Sequence, residues 1–293
     1  MKSVISDSID RYNYMVEWYQ TRPFVKNLVW FKKYHGSRKL KRYLKKQNFW
    51  LKKQNFGDYL SRIVVAKLAL HCGFKKRNYV NRNKKLLAIG SILHFAKEDS
   101  LVWGTGVNGK IDPGKHKFKR LDVRMVRGPL TLEFLKNRNI VCDEIFGDPA
   151  MLLPVLFPGF NYNPKPGKII LIPNLNDLSF CVGNTPRNIQ LVSPLVHWKR
   201  VLWEILSSEL VITSSLHGVI LCEAYRVPLR FVQPVGGETL FKYRDYFLGT
   251  GRDLNKKPSK ITDGITIKSG ITMPETSINL QPLIDAFPRD LFE

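Results

Sequence analysis

The stretch VITSSLHGV, residues 211–219, places a histidine between an apolar run and a helix-like segment. Histidine is the side chain best suited to give or take a proton near neutral pH. In a parallel α/β sheet, ligands bind where a strand end meets a helix start, and the N–H groups of that helix attract phosphate. We therefore predict that His217 is catalytic and that Ser214, Ser215 and Gly218 help to bind an anionic substrate. The alternative is a histidine that serves packing alone.

Cationic side chains occur at two further positions where the chain changes from one element to the next. Arg127 ends a predicted strand and is followed by Gly128, with Arg124 three residues earlier. An arginine at a strand end can bind a carboxylate or phosphate through two parallel hydrogen bonds. The segment FKYRDYF, residues 241–247, adds Lys242 and Arg244. We predict donor-binding roles for Arg127, Lys242 and Arg244, with ordinary surface positions as the alternative.

Two glycine-containing stretches are predicted to form loops beside the same site. Gly104, Thr105 and Gly106 follow an apolar run, and glycine lets backbone approach a ligand closely. The stretch is neither a P-loop nor a GxGxxG motif, because the Lys-Ser/Thr pair and the glycine spacing are both absent. In NFGD, residues 55–58, Asn55 and Gly57 are assigned to a cleft loop, and Asp58 is either a helix cap or a general base.

The elements that must position these residues alternate between short apolar strands and helices. Predicted strands include 84–93, 100–109 and 168–174, and a strand, turn and helix span 121–137. The Pro-, Gly- and Asn-rich run at 157–167 is typical of a linker. Alternating strands and helices favour parallel sheets with ligands at the strand carboxyl ends. We predict an α/β fold of two Rossmann-like domains that face a cleft.

The predicted domain boundaries follow this pattern. A short C-terminal helix is expected to pack back on the body of the protein, because NLQPLIDAFPRDLFE mixes apolar and polar residues at helical spacing. The predicted units are a basic aromatic segment at 1–54, an N-terminal Rossmann-like domain at 55–160, a C-terminal Rossmann-like domain at 165–278, and a tail at 279–293.

The net charge of +23 over 293 residues predicts an anionic partner. Residues 18–57 contain no acidic residue, many Lys and Arg, and interleaved aromatics, with KKQNF at both 45–49 and 52–56. Such a segment suits an anionic membrane surface, single-stranded nucleic acid, or a solvated helix face. We predict membrane contact and no nucleic acid.

The chain shows no pattern of secretion or of membrane spanning. Its N-terminus, MKSVISDSIDRYNYM, carries two Asp and lacks the apolar core of a signal peptide. No apolar run approaches the ~18 residues of a spanning helix. The four cysteines, Cys72, Cys142, Cys181 and Cys222, are far apart and lack metal-ligand spacing, which favours free thiols. We expect a cytoplasmic protein, peripheral at the inner face of the plasma membrane, with no metal site.

Seven motifs in order resemble the polysaccharide pyruvyl transferase family, most closely the bacterial exopolysaccharide ketal-pyruvate enzymes. The resemblance covers roughly residues 55–250 and leaves the basic segment 18–54 outside. This chain departs from the family at Ser215, where many members have arginine, giving Ser-Arg-Leu-His-Gly. The motifs are NFGDYLS, AIGSIL, VWGTGVN, VRGPLT, GDPAMLLP, SSLHG and FKYRDYF.

The resemblance implies a GT-B-like pair of domains, phosphoenolpyruvate as donor with no other cofactor, and a sugar of a polysaccharide repeat unit, often lipid-linked, as acceptor. It implies that Arg127 and His217 meet the donor from opposite domains, with Lys242 as a further anion contact. His217 would protonate C3 of the donor, and Asp58 would serve as base for the sugar hydroxyl. The alternatives are a nucleotide-sugar-dependent GT-B glycosyltransferase and a non-catalytic basic protein that binds membrane or RNA.

Overall fold

A parallel sheet of three strands forms the first part of the described chain. The computed structural model describes residues 55–74, 84–254, 257–263, 265–272 and 278–292, so the basic segment 18–54 lies outside the described residues. The strands lie in the order β1-β2-β3, and all pairs are parallel. They are β1 Leu86–Leu87, β2 Ser100–Trp103 and β3 Leu121–Met125.

A second sheet has five strands in the order β5-β4-β6-β7-β8, parallel except for the antiparallel edge strand β8. Alternate side chains enter different cores: Ile170 and Val211 join one apolar cluster, and Leu171 and Ile212 join another. Apolar packing on both faces is what parallel strands require. The strands are β4 Lys165–Ile172, β5 Gln190–Leu191, β6 Ser208–Thr213, β7 Leu229–Phe231 and β8 Ile271–Thr272.

Asn55, His197 and Ser215 cap the three helices that follow them. Asn55 caps the first helix by accepting a hydrogen bond from Gly57 N at 3.0 Å, so the predicted cap at Asp58 is wrong and Asp58 lies in the first turn. Pro129 opens the second helix as predicted. The helices are α1 Phe56–His71, α2 Pro129–Lys136, α3 Leu153–Leu156, α4 Leu178–Asn184, α5 Trp198–Leu206, α6 Leu216–Ala224, α7 Phe241–Gly249 and α8 Gln281–Asp285.

Helix α1 joins the cores of the two sheets. Leu60, Val64 and Leu68 are spaced four residues apart, share one helix face and are almost fully buried. They belong to an apolar cluster that contains Trp103 from the first sheet and Ile170 from the second. The parallel α/β class is therefore confirmed. The arrangement of two Rossmann-like domains about a cleft, with its boundaries, stays a prediction.

The C-terminal tail packs against the first sheet. The indole of Trp103 donates a hydrogen bond to Leu283 O at 3.0 Å, and the Phe287 ring meets the indole edge-on with centroids 5.0 Å apart. Phe292 stacks on Phe287 and is 1% exposed. The tail thus covers apolar surface that β2 would otherwise present to water.

Candidate active site

A polar cavity of about 150 Å³ lies where the loops after β1, β2, β4 and β6 meet the beginnings of α1 and α7. The carboxyl ends of parallel strands are the usual ligand-binding edge of such sheets. Loops from both sheets contribute to the wall. The lining residues are Asn55, Asp58, Ser91, Ile92, His94, Phe95, Asn108, Asn174, Ser215, Leu216, His217 and Lys242.

His217 reaches this cavity because β6 ends at Thr213 and α6 begins at Leu216. Ser215 caps α6, and its hydroxyl accepts a hydrogen bond from Gly218 N at 3.4 Å. A side chain at residue 218 would overlap the Thr213 hydroxyl, so only glycine fits there. The serines and the glycine of the motif therefore build the turn that aims the imidazole at the cavity.

The imidazole of His217 is held neutral and tightly packed. Its Nε2 atom is buried and has no hydrogen-bond partner among the described residues. Burial, together with the positive charges of Lys242 and Arg127, lowers the pKa of His217 to about 3. The ring lies edge-on to Phe56 and against Gly57, where any β-carbon would overlap it. His217 thus presents an unprotonated nitrogen in a polar pocket.

Lys242 brings a positive charge to the cavity from α7. Its side chain is 12% exposed, and its ammonium lies 2.7 Å from Glu238 Oε2. Burial lowers the pKa of Lys242, while the nearby Glu238 carboxylate opposes that shift. Glu238 also pairs with Lys110 from the loop after β2 and accepts a hydrogen bond from Asn176 at 2.7 Å. This carboxylate therefore links the two sides of the site.

Arg127 is buried behind the cavity wall and is not among the lining residues. Its side chain is 1% exposed, Nε donates a hydrogen bond to Asp245 Oδ2 at 2.9 Å, and Nη2 forms an ion-pair contact with the same oxygen at 2.8 Å. Nη2 also donates to Val107 O at 2.7 Å, and Nη1 donates to the hydroxyl of Ser91 at 2.6 Å. The guanidinium occupies the space that a side chain at residue 106 would need, so glycine is required there. The charge of Arg127 lowers the pKa of His217, but the guanidinium itself binds protein groups and does not face the cavity.

Asp245, which we did not predict from sequence, is the partner that holds Arg127. It is fully buried on α7, and its carboxylate also accepts hydrogen bonds from Thr131 N at 2.9 Å and Thr131 Oγ1 at 2.6 Å. Its backbone carbonyl fills the space beside Gly128 where a side chain would stand. Helix α7 is thereby fixed to the loop that carries Arg127, with Lys242 one turn earlier on the same helix.

Four other predicted residues do not line the cavity. Ser214 is buried and donates to Asp177 Oδ2 at 2.9 Å while accepting from Asn174 N at 2.8 Å. Thr105 donates to Gly90 O at 2.7 Å, which shapes the loop after β1. Gly104 has φ +94° and packs beneath Pro149, so it too serves the loop fold. Arg244 is exposed on α7 and does not line the cavity.

Five polar or aromatic lining residues were not predicted from the sequence. Ser91, His94 and Phe95 follow β1, Asn108 follows β2, and Asn174 follows β4. The first four lie in or directly after the motifs AIGSIL and VWGTGVN. The available signal was the rule that polar residues just past strand ends face the ligand edge.

The described residues also limit other kinds of site. No helix among them is both long and apolar enough to cross a bilayer. Within the same ranges, His, Cys, Asp and Glu side chains form no group of three or more that could hold a metal ion. Two of the four cysteines, Cys181 and Cys222, are buried, and all four are free thiols.

Comparison with known proteins defines the class of protein to which this fold and site belong. The family model for polysaccharide pyruvyl transferases matches residues 6–233, which is most of the chain. The protein therefore belongs to the polysaccharide pyruvyl transferase family, as the motifs indicated. The match begins before the basic segment 18–54, so our expectation that this segment lies outside the resemblance is wrong. FKYRDYF, by contrast, lies beyond the matched residues.

One curated relative is the succinoglycan biosynthesis protein ExoV of Rhizobium meliloti (strain 1021). The two chains are 30% identical over 202 residues, which is 66% of this chain and 60% of the relative. The chain thus matches about three fifths of the relative's length. No solved structure matches this chain.

Proposed function

We propose that this protein transfers the enolpyruvyl group of phosphoenolpyruvate to a sugar of a polysaccharide repeat unit, forming a cyclic pyruvate ketal and releasing phosphate. The observation that carries the proposal is the neutral His217, with its unpartnered Nε2 beside Lys242 in a polar pocket. Family membership supports the same reaction. A proton-handling group beside a fixed positive charge is what an anionic enol ester requires.

Charge balance in the site supports coupling between donor binding and protonation of His217. Of the described lining residues, Lys242 alone carries a permanent positive charge, and Glu238 already offsets it. Ser215 stands where many family members supply an arginine. Phosphoenolpyruvate brings a carboxylate and a phosphate, and negative charges near an imidazole raise its pKa. Donor binding is therefore expected to raise the pKa of His217 and to favour the protonated imidazole that the reaction needs.

The chemistry proceeds from that protonated imidazole. His217 gives its proton to C3 of the donor, which leaves C2 electron-poor, and a sugar hydroxyl forms a bond to C2 while Asp58 takes its proton. The C2–O bond to phosphate then breaks with its electrons leaving on phosphate. A second sugar hydroxyl bonds to C2 and gives its proton to the now neutral His217, which closes the ketal and restores the imidazolium. The proton on Asp58 passes to the released phosphate. Asp58 lies in the first turn of α1 and lines the same cavity as His217, which supports this division of roles.

A single assay tests the proposal. The protein is incubated with phosphoenolpyruvate and oligosaccharide or lipid-linked acceptors, and released phosphate is compared with the mass gained by the acceptor. Equal amounts of phosphate and pyruvylated acceptor are expected. Thermal stabilisation by a nucleotide sugar and not by phosphoenolpyruvate would contradict the proposal and favour a glycosyltransferase.

Gly57→Ala is expected to lower the rate of transfer on the order of 100-fold, because the new methyl group overlaps the His217 ring and displaces it. Displacement of a catalytic group by about 1 Å can cost that much. The measurement is kcat in the phosphate-release assay. Gly159→Ala is the matched control, since a methyl group there meets nothing within 4 Å. Equal rates for the two variants would show that the packing of Gly57 against His217 is unimportant.

We also propose that the basic segment 18–54 contacts an anionic membrane at the inner face of the plasma membrane, where a lipid-linked acceptor would lie. Replacing Lys45, Lys46, Lys52 and Lys53 by Gln is expected to weaken binding to anionic vesicles by at least about tenfold, since each basic residue near such a surface contributes roughly 1 kcal/mol. Donor binding should be unchanged. Vesicle sedimentation and calorimetry with phosphoenolpyruvate measure the two effects.

The control for this variant removes the same charge from the described surface. Lys117, Lys119, Lys260 and Lys268 are all exposed, and their replacement by Gln should leave vesicle binding nearly intact. If both fourfold variants lose vesicle binding equally, net charge and not the segment is responsible.

A further inference from the structure

Ser91 occupies the boundary between the buried arginine and the cavity. It follows β1 in the loop Gly90-Ser91-Ile92 and lines the cavity together with His217 and Lys242. Its hydroxyl oxygen accepts a hydrogen bond from Arg127 Nη1 at 2.6 Å. Among the described residues, no other hydrogen bond to this hydroxyl is seen. The Ser91 side chain therefore lies between the Arg127 guanidinium and the cavity.

The hydrogen bond from Arg127 determines what the Ser91 hydroxyl can offer. A hydroxyl has one hydrogen to donate and two lone pairs to accept. Because an accepting position is taken by a guanidinium, the hydrogen remains for a group in the cavity. Accepting from a charged donor also polarises the O–H bond, and chains of hydrogen bonds strengthen one another. The arrangement suits a negatively charged oxygen.

Asp245 fixes the other end of this chain. The carboxylate receives one hydrogen bond and a further ion-pair contact from Arg127 and two hydrogen bonds from Thr131, and it is fully buried. The three nitrogens of the Arg127 guanidinium are thus each committed to a protein group, namely Asp245, Val107 O or Ser91. The guanidinium cannot turn toward the cavity without breaking buried contacts.

We propose that Ser91 binds an anionic oxygen of the donor, and that Asp245 and Arg127 are positioning residues that act through the Ser91 hydroxyl. This inference rests on the proposed function for the identity of the donor. It replaces a direct arginine clamp with a relay of three side chains. The relay runs from α7 through the loop after β3 to the loop after β1.

Ser91→Ala is expected to raise KM and Kd for phosphoenolpyruvate roughly 10- to 100-fold with little change in kcat, the range for losing one hydrogen bond to a charged group. Ser91→Thr, which keeps the hydroxyl, should restore most of the affinity. Ser259→Ala is the matched control. It removes a hydroxyl that accepts from Gly270 N at 2.9 Å, away from the cavity, and should leave KM unchanged.

A double-mutant cycle separates positioning from general stability. Asp245→Asn should raise KM in the wild-type background and have little further effect on KM in the Ser91→Ala background, because its influence passes through the missing hydroxyl. Unchanged KM in Ser91→Ala, or a fully additive effect of Asp245→Asn, overturns the inference while the proposed function stands. Failure of the wild-type protein to bind phosphoenolpyruvate overturns both.

Discussion

His217→Gln is expected to lower the rate of ketal formation by about 10²–10⁴-fold, the contribution of a positioned proton donor. Glutamine keeps polarity and approximate size but cannot pass a proton to C3 of the donor. Because the ring packs against Phe56 and Gly57 without a hydrogen bond at Nε2, little else should change. The measurement is kcat for phosphate release, with circular dichroism to verify folding. Near-normal turnover would remove His217 from the mechanism.

His71→Gln is the matched control for this variant, since His71 ends α1 and is exposed. Its rate of phosphate release should equal that of the wild-type protein. A comparable loss in both variants would indicate a general effect of losing histidine and not a role for the cavity.

The pH dependence of stability gives the same variant a second readout. The folded-state pKa of His217 is about 3, below its ordinary value of 6.5, so between these pH values the unfolded chain binds a proton that the folded chain does not. This group therefore makes the free energy of unfolding fall as pH falls below 6.5, by up to about 1.4 kcal/mol per pH unit. His217→Gln should lose that part of the slope in urea unfolding between pH 7 and pH 5.

Asp245→Ala is expected to lower the free energy of unfolding by about 3–5 kcal/mol, the usual cost of removing one partner of a buried ion pair. Arg127 would remain buried with its hydrogen bond and its ion-pair contact to Asp245 lost. Thr131 N and its hydroxyl would lose their acceptor as well. Urea unfolding at neutral pH measures the effect.

The double variant Arg127→Ala, Asp245→Ala should be less destabilised than the sum of the single variants, because no unpaired charge is left behind. Asp143→Ala is the surface control. Asp143 is exposed on a loop, and its loss should cost well under 1 kcal/mol. A loss below about 1 kcal/mol for Asp245→Ala would contradict the view that this carboxylate holds the site together.

Sequence reasoning located the parts of the site that depend on local patterns. The strand-to-helix junction at His217 is readable because serine, glycine and an apolar run occur within a few residues. Lys242 and Asp58 were found in the same way, and both line the cavity. The strand, turn and helix predicted for 121–137 correspond to β3 and α2, whereas α1 is capped by Asn55 and not by Asp58.

Partnerships between distant residues could not be predicted. Asp245 pairs with Arg127 across 118 positions, and nothing in FKYRDYF distinguishes its aspartate from a solvated one. No pattern around Arg127 distinguishes a guanidinium that binds ligand from one that is buried behind Ser91. The partners of Arg127 and Asp245 depend on which loops the two sheets bring together. The order of short strands and helices in a single sequence does not show which loops will be in contact.

The buried pair of Arg127 and Asp245 also constrains how molecules enter and leave the site. It spans the seam between the loop after β3 and α7, with both side chains almost completely shielded from water. Separating α7 from that loop would break the ion pair and leave a guanidinium and a carboxylate without their partners. Donor and product are therefore expected to enter and leave between half-buried lining residues such as Asp58 and Asn108, while the seam stays closed.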